Sequence, residues 1–596
     1  MIIESVRRNI SDMLFLLGDQ RRRLPFILAT FLVVSLLDLI GVGLVGSYIA
    51  LFTQPIGSGS LSFLQPILNI VGSLGDDRDS AMVVLGMILV FVFALKAIVG
   101  LFVQRIIFRF CFKRMADLRT SAIEAIQRMP YSSFLQRNSS EYVQTVIHYV
   151  GQYTGSLRYT LSLISDGTVA VVLFILLSWV SGFALALVIA IGVVMIVGYD
   201  KVFRYKISRA GRTLNVGNQL AIKGIQEQAT GFKEIRILGR ESYFLDQVRR
   251  GSWLVANSNN LILLIQAIPR YMVEVAIISF IVSVVAIMVL QGNSIESTYP
   301  VIGMLAVALL RLAPITNLIM TAITSLRSNR PGIKLLRKEF DYLGSLPTQE
   351  YYHLPIDSSP FESLELKNVS FTYDNSPLPA LRNITMSIVA GESVGLIGPS
   401  GAGKTTLVDV ILGLLVNQSG ELFYNRNPLS EDLASWRRNV AYLPQQVFMI
   451  DDSFRNNISF GSANSDLDKE RLEKAIMQSQ LSNLVSELPN GIDTQLGEQG
   501  IRLSGGQRQR VALARAFYHQ REVLVLDEAT SALDTDTERE IVQEMQRLKG
   551  KVTMIVIAHR LSTLQHCDRI YKLKRGEIVE VGSYRDMISN QKMNSM

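Results

Sequence analysis

Long apolar runs dominate the first 325 residues of this 596-residue chain. A helix needs about 20 mostly apolar residues to cross a bilayer. The runs of that length are 25–53, 81–105, 159–180, 183–203, 260–291 and 300–325. A short turn, Val180–Phe183, separates the third run from the fourth, whereas two polar, helix-compatible stretches of about 55 residues follow the second and the fourth. The pattern predicts an all-α membrane domain over 1–325 with six helices, some of which extend beyond the bilayer.

The rest of the chain has the character of a water-soluble domain. Four prolines interrupt residues 326–360, which predicts an irregular connection. Residues 361–596 alternate short apolar runs with helix-compatible segments, which is typical of an α/β domain.

Charge and cysteine content exclude other classes. The net charge of +8 could indicate nucleic-acid binding, but the basic residues cluster beside the apolar runs, so we expect no nucleic-acid partner. Cys111 and Cys567 lie too far apart in sequence to indicate a disulfide framework or a metal site. The first apolar run is too long for a signal peptide, and no small-residue cleavage site follows it closely.

The distribution of charge predicts an orientation in the membrane. One side carries Arg21, Arg22, Arg23, Arg105, Arg109, Lys113, Arg114, Lys201, Arg204, Lys206, Arg249, Arg250, Arg327 and Arg330. The other side comprises 54–80, with three Asp and one Arg, and 292–299, with Glu296 alone. Because Lys and Arg mark cytoplasmic loops, we expect both termini in the cytoplasm. On the outer side, the uncharged segment 61–74 has apolar residues at helical spacing, which predicts either an interfacial helix or a loop packed on the bundle.

A phosphate-binding loop opens the water-soluble domain. Gly398–Thr405 fits G-x4-G-K-[ST] between an apolar strand, 393–397, and a helical stretch, 406–415. Its glycines allow backbone N–H groups to surround phosphate oxygens at a helix start. We expect Lys404 to reach the β- and γ-phosphates of ATP and the Thr405 hydroxyl to bind Mg²⁺. The predicted contacts of ATP here are Gly398, Ser400, Gly401, Gly403, Lys404, Thr405 and Thr406.

Two further motifs complete a nucleotide site. Glu522–Glu528 is a buried-strand pattern that ends in two acids, of which Asp527 is expected to bind Mg²⁺ and Glu528 to act as the general base. Leu503–Gln507 lies between this strand and the phosphate loop and precedes a helical stretch. The predicted γ-phosphate contacts in this motif are Ser504, Gly505, Gly506 and Gln507.

The order of these motifs resembles that of ATP-binding-cassette (ABC) proteins, and six spans followed by one cassette resemble an ABC exporter half-transporter. The resemblance covers nearly the whole chain. It implies a multidomain membrane protein, in which an all-α six-helix transmembrane domain of ABC exporter type precedes an α/β P-loop nucleotide-binding domain. It also implies ATP and Mg²⁺ as cofactors and ATP hydrolysis coupled to transport.

The resemblance assigns roles to residues outside the loop. Tyr373 stacks on adenine, Gln445 links Mg²⁺ and the attacking water to the membrane domain, and His559 senses the γ-phosphate. Asp534 lies in the D-loop, which contacts a partner cassette. Gly497–Gly500 is similar to the exporter X-loop.

The same resemblance implies a dimer. The Leu503–Gln507 signature closes over ATP held by a second cassette, and this chain contains one cassette. Because every catalytic position is filled, we expect the partner to be a second copy of the chain. The turns Tyr131–Arg137 and Phe232–Glu241 are the candidates for contact with the cassettes.

Charges inside the predicted spans indicate the cargo. Lys96, Arg270 and Arg311 are cations in three spans, and Asp38 and Glu274 are acids in two. Such residues are costly in a bilayer and are candidates for function. The cations predict a pocket for an amphipathic anionic lipid. The alternatives are an Arg270–Glu274 ion pair and snorkelling of Lys96 to the interface.

Short stretches of the membrane half resemble bacterial flippases of polyprenyl-diphosphate-linked oligosaccharides. The matching stretches are Ile268–Glu274, Leu310–Pro314 with Asn317, and Lys96, where that family has an arginine. The resemblance implies flipping of such a lipid to the outer leaflet of the bacterial inner membrane, for glycan or glycoprotein assembly. The substrate residues would be Lys96, Arg270 and Arg311. The alternative is an exporter of another lipid, a drug or a peptide.

Overall fold

The computed structural model describes residues 2–53, 78–180, 182–290, 295–347, 359–374, 376–461, 467–497, 500–527, 543, 546–558 and 561–593. Its contacts divide the chain into two units. The first unit comprises Met1–Met129 and Arg137–Pro347, and the second comprises Pro130–Gln136 and Thr348–Met596. The segment predicted at 61–74 lies outside the described residues.

Long helices build the first unit, and one short helix of the second unit, α4, interrupts them in the chain. In chain order the helices are α1 (Ile2–Leu17), α2 (Leu24–Thr53), α3 (Arg78–Gln127), α4 (Tyr131–Leu135), α5 (Ser139–Val143), α6 (Val150–Val180), α7 (Gly182–Thr230), α8 (Phe232–Leu238), α9 (Glu241–Leu290) and α10 (Ile295–Ser345). A 3-10 helix at Gly18–Arg23 precedes α2, and a π-helix at Gln144–Tyr149 precedes α6.

Among the described residues, three helical stretches are long and apolar enough to cross a membrane. They are Ile10–Val45, Met82–Gln127 and Glu241–Ser279. These stretches overlap the first, second and fifth predicted spans. The other three predicted spans fall on α6, α7 and α10, where some side chains lie outside the described set.

The connection predicted at 326–360 begins only after Ser345. Helix α10 continues through Pro331 to Ser345, so the predicted break at Pro331 was wrong. A proline inside a helix costs about 3 kcal/mol, because it removes one hydrogen bond and its ring meets the preceding turn. The buried side chains of Ile333, Leu336 and Leu343 offset this cost by packing in the first unit.

Glycines let three helices of the first unit approach closely. A Cβ on Gly211 of α7 would lie 2.1 Å from the Ser328 carbonyl oxygen of α10. A Cβ on Gly251 of α9 would lie 2.7 Å from the Ala221 nitrogen of α7. Side chains at these two positions would therefore force the helix backbones apart.

The second unit is an α/β domain. Its strands are β1 (Ser363–Phe371), β2 (Leu381–Val389), β3 (Ser393–Ile397), β4 (Ser419–Tyr424), β5 (Asn427–Pro428), β6 (Val440–Leu443), β7 (Val523–Asp527), β8 (Thr553–Ala558), β9 (Arg569–Lys574) and β10 (Glu577–Gly582). Its further helices are α11 (Lys404–Ile411), α12 (Leu433–Asn439), α13 (Phe454–Ser459), α14 (Lys469–Gln478), α15 (Ser482–Glu487), α16 (Gly505–Tyr518) and α17 (Tyr584–Met593).

These strands form two sheets within the described residues. One is antiparallel in the order β2-β1-β4-β5, and the other has the order β10-β9-β3-β8-β7-β6. In the second sheet β6, β7, β8, β3 and β9 are parallel, and β10 is antiparallel. The carboxyl ends of β3, β7 and β6 therefore meet at one edge, where ligands of parallel sheets bind. A helical membrane unit combined with this α/β unit confirms the predicted fold class.

Candidate ATP site and intramembrane charges

The predicted phosphate loop joins β3 to α11. Gly401 has φ +76° and Gly403 has φ +100°, conformations that favour glycine. A Cβ on Gly398 would lie 2.3 Å from the Leu573 carbonyl oxygen, whereas a Cβ on Gly401 would meet no described heavy atom within 4 Å. The loop is therefore packed on one side and open beside Gly401, as a backbone cradle for phosphate requires.

The Lys404 side chain turns back onto this loop. Lys404 is buried, and its Nζ donates to the carbonyl oxygens of Gly398 at 2.8 Å and Pro399 at 3.2 Å. The side chains of Ser400 and Thr405 are exposed beside it. The structure thus brings the predicted cation and the predicted hydroxyl groups together at the start of α11.

Tyr373 lies beside the same helix. Its hydroxyl is 3.2 Å from the Thr406 hydroxyl, and its ring packs edge-on against Phe371 with the centroids 4.9 Å apart. The half-buried ring also contacts the cassette core. These contacts hold the ring near the phosphate loop, and its stacking on adenine stays a prediction.

Asp527 ends β7 and is 8% exposed. Its Oδ2 accepts a hydrogen bond from the Tyr442 hydroxyl at 2.8 Å. Burial, together with the nearby charge of Asp527, raises the pKa of Asp409 to about 6. The motifs in the sequence identified Asp527 but missed Tyr442 and Asp409. A signal existed for Asp409, because it is the only charged residue in the apolar run 407–411.

The remaining predicted catalytic residues are only partly described. Gln445 is exposed in the turn after β6, at the same sheet edge as Asp527. Glu528, Asp534 and His559 lie outside the described residues, so their roles stay predictions.

The residues present at this edge fit Mg²⁺. The Asp527 carboxylate at the end of β7, the Thr405 hydroxyl at the start of α11 and the Gln445 amide after β6 are possible oxygen ligands. Among the described residues, no three His, Cys, Asp or Glu side chains cluster as a metal site. Mg²⁺ commonly takes one or two carboxylates together with substrate phosphates, so a single carboxylate beside a phosphate loop suits it.

Ser504 and Gln507 form a capping box at the start of α16. Ser504 Oγ accepts from the Gln507 backbone N–H at 3.2 Å, and Gln507 Oε1 accepts from the Ser504 backbone N–H at 2.8 Å. The S-x-x-Q spacing is a capping pattern, so this pair was predictable from the sequence. Gly505 and Gly506 form the first turn of a 14-residue helix whose amino end attracts anions.

Lys96 forms an ion pair inside the bundle. Its ammonium on α3 donates to the Asp38 carboxylate on α2, and the two side chains are 17% and 7% exposed. The ammonium also lies 5.8 Å from the centroid of the Phe93 ring. Lys96 and Asp38 together carry no net charge, and the role of Lys96 as a substrate contact stays a prediction.

Arg270 and Glu274 lie one turn apart on α9, and both are exposed. Among the described residues, neither side chain makes an ion pair or a hydrogen bond. The structure therefore does not contain the alternative Arg270–Glu274 ion pair. The side chain of Arg311 lies outside the described set.

The segment Pro130–Gln136 belongs to the second unit. Tyr131 packs against the main core of that unit, and Gln136 Nε2 donates to Asp374 Oδ2 at 3.2 Å. The other predicted contact turn contains α8, whose exposed apolar side chains are Phe232, Ile237 and Leu238.

Comparison with known proteins places both units in one family. Residues 40–290 match the ABC transporter transmembrane region, and residues 381–531 match the ABC transporter domain. An ATP-dependent lipid A-core flippase of Ralstonia nicotianae is 30% identical over 495 residues, which are 80% of each chain. The protein of that name from Escherichia coli is 41% identical over 229 residues, which are 38% of this chain and 39% of that protein.

A solved structure shares the fold. The structure of a bacterial Atm1-family ABC exporter with ATP bound matches with a TM-score of 0.74 at 21% identity. The match covers 96% of this chain and 97% of that one. The chain belongs to the ABC transporter family, as a half-transporter of exporter type whose ATP hydrolysis is coupled to transport.

Proposed function

We propose that this transporter flips an amphipathic anionic glycolipid, a polyprenyl-diphosphate-linked oligosaccharide, from the cytoplasmic to the outer leaflet of a bacterial inner membrane. One observation carries the proposal. Arg270 lies within a predicted span, is exposed, and makes no ion pair among the described residues. A cation within a membrane span is costly without a counter-ion, so Arg270 favours an anionic ligand.

Arg270 and Arg311 are the proposed contacts of the diphosphate. An arginine fork can replace the water around phosphate oxygens with charge-assisted hydrogen bonds, while the polyprenyl tail stays in lipid. Lys96 is a weaker candidate because Asp38 already neutralises it. The relatives named as lipid A-core flippases support a lipid cargo in general.

A lipid A-core-like glycolipid is the second candidate. It is favoured by the printed names of the relatives that cover 80% of this chain. The short stretches around Arg270 and Arg311 favour the polyprenyl-linked lipid instead. Both candidates carry phosphate, so the arginines serve either one.

The transport cycle requires a partner. We propose a homodimer with cytoplasmic termini, in which the Leu503–Gln507 signature of one copy closes over ATP and Mg²⁺ held by the other. The amino end of α16 supports this role because it attracts phosphate. Mg²⁺ would be held by Asp527, Thr405 and Gln445 and would neutralise phosphate charge.

The experiment is ATP-dependent flipping in proteoliposomes with a labelled lipid-linked oligosaccharide, lipid A-core and a drug cation as separate cargoes. We expect Arg270→Ala/Arg311→Ala to lose at least about tenfold in oligosaccharide flipping, while basal ATP hydrolysis is largely kept. Arg249→Ala is the matched control, because Arg249 lies on α9 outside the predicted span and pairs with Asp246 at 2.7 Å.

The outcomes separate the candidates. Flipping of lipid A-core alone, lost in the double variant, would replace the first candidate with the second. Unchanged flipping in the double variant would remove the arginine pocket. Transport of the drug cation alone would overturn the lipid proposal.

A further inference from the structure

Tyr442 and Asp527 meet across two neighbouring strands of the cassette. Tyr442 of β6 is aligned with Val525 of the parallel strand β7. Asp527 lies two residues further along β7, so its side chain is on the same face of the sheet as Val525. The Tyr442 hydroxyl reaches it and donates to Oδ2 at 2.8 Å.

The hydrogen bond from Tyr442 fixes the orientation of the Asp527 carboxylate. The final torsion of an aspartate side chain is broad, so a carboxylate alone does not hold one direction. Carboxylates that bind metals are commonly oriented by a hydrogen bond from a neighbouring group. Within the described residues around Asp527, the Tyr442 hydroxyl is such a donor, and its ring is held in β6 by backbone pairing to β7.

We propose that Tyr442 is the positioning residue that orients the Asp527 carboxylate for Mg²⁺. This inference rests on the proposed role of Asp527 as a metal ligand. It adds a residue that none of the nucleotide motifs contains. Tyr442 precedes Gln445 by three residues, so the same short segment supplies a group beside the metal and the donor that orients the aspartate.

The test uses the full-length transporter and Mn²⁺ as the metal probe. Mn²⁺ affinity is measured by electron paramagnetic resonance with a non-hydrolysable ATP analogue present, and analogue binding is also measured in EDTA. We expect Tyr442→Phe to weaken Mn²⁺ binding about tenfold, the lower end of the effect of losing an outer-shell partner. Binding of the analogue without metal should stay unchanged, because the phosphate loop is intact.

Tyr571→Phe is the matched control. The Tyr571 hydroxyl bonds to the Ser387 backbone, at 3.3 Å from its carbonyl oxygen, in the same cassette. Its loss should leave Mn²⁺ affinity unchanged. Both variants keep the aromatic ring, and thermal unfolding checks that any loss of stability is similar in the two.

Asp527→Asn separates the two proposals. If this variant binds Mn²⁺ as well as the wild type does, the role of Asp527 fails, and the inference on Tyr442 fails with it. If Asp527→Asn abolishes Mn²⁺ binding while Tyr442→Phe matches Tyr571→Phe, Asp527 remains the ligand and the positioning role of Tyr442 is overturned.

Discussion

The Lys96 ammonium on α3 and the Asp38 carboxylate on α2 form an ion pair between two helices of the membrane unit. The residues are 58 positions apart in sequence, and both are largely buried. The pair therefore joins two predicted spans, and it makes Lys96 a weaker candidate for holding an anionic lipid. Because Lys96 is paired with Asp38, the substrate proposal relies more on Arg270 than on Lys96.

Lys96→Met should destabilise the membrane unit by about 3–5 kcal/mol, because it removes the Lys96 counter-ion of the buried Asp38 carboxylate. The double variant Asp38→Asn/Lys96→Met should recover most of that loss. The measurement is unfolding in detergent. Arg128→Ala is the control, because Arg128 and Glu124 form an exposed pair worth about 0.2–1 kcal/mol. A double variant no more stable than Lys96→Met would argue against the pair.

Ser504→Ala should destabilise the start of α16 by about 1 kcal/mol, because one side of the capping box is lost. Hydrogen exchange of the first amides of α16 measures this directly, without nucleotide. Gln507→Glu is the matched variant, since glutamate also completes a capping box and should keep the protection. Equal exchange in Ser504→Ala and the wild type would show that Ser504 is not needed as a cap.

Glu528→Gln should bind ATP with nearly normal affinity and hydrolyse it about 10²- to 10⁴-fold more slowly, because a general base contributes that much. Single-turnover hydrolysis and nucleotide binding are measured on the same preparation. Hydrolysis near the wild-type rate would remove Glu528 from the base role.

The cassette should lose stability as the pH falls, because the folded chain holds His519 in its neutral form. Burial, assisted by the charge of Arg521, lowers the pKa of His519 to about 4, while its hydrogen bond to the Ser459 carbonyl oxygen opposes the change. In the unfolded chain the pKa of His519 is about 6.5, so on acidification the unfolded chain takes up a proton before the folded chain does. The stabilisation is complete above pH 6.5 and is lost between about pH 6.5 and 4, by roughly 3 kcal/mol at most.

The comparison that tests this is between the wild type and His519→Gln, whose amide can still donate to Ser459. Unfolding midpoints in urea at pH 7 and pH 5 are followed by the fluorescence of the buried Trp436. The variant should lose less stability on acidification than the wild type. An equal loss in both would assign the pH dependence to other groups.

Contacts between neighbours in sequence were the predictable part of the site. Glycine at 398, 401 and 403, lysine at 404 and the helix that follows form one continuous segment, so their spacing predicts their geometry. The Ser504–Gln507 capping box is equally local. Pro331 was misread because a local rule against proline in helices does not include the packing of Ile333 and Leu336 that offsets it.

By itself, the sequence determined the two-part architecture, the phosphate loop, the place of Asp527 at the end of a buried strand and the start of α16. These features depend on the length of apolar runs and on short spacings between residues. Tertiary structure alone decided which side chains meet across elements. Tyr442 and Asp527 are 85 residues apart, and parallel pairing of β6 with β7 brings them together. Lys96 and Asp38 meet because α2 packs against α3. Periodicity along a chain specifies the face of an element, but only packing selects the neighbour of that face.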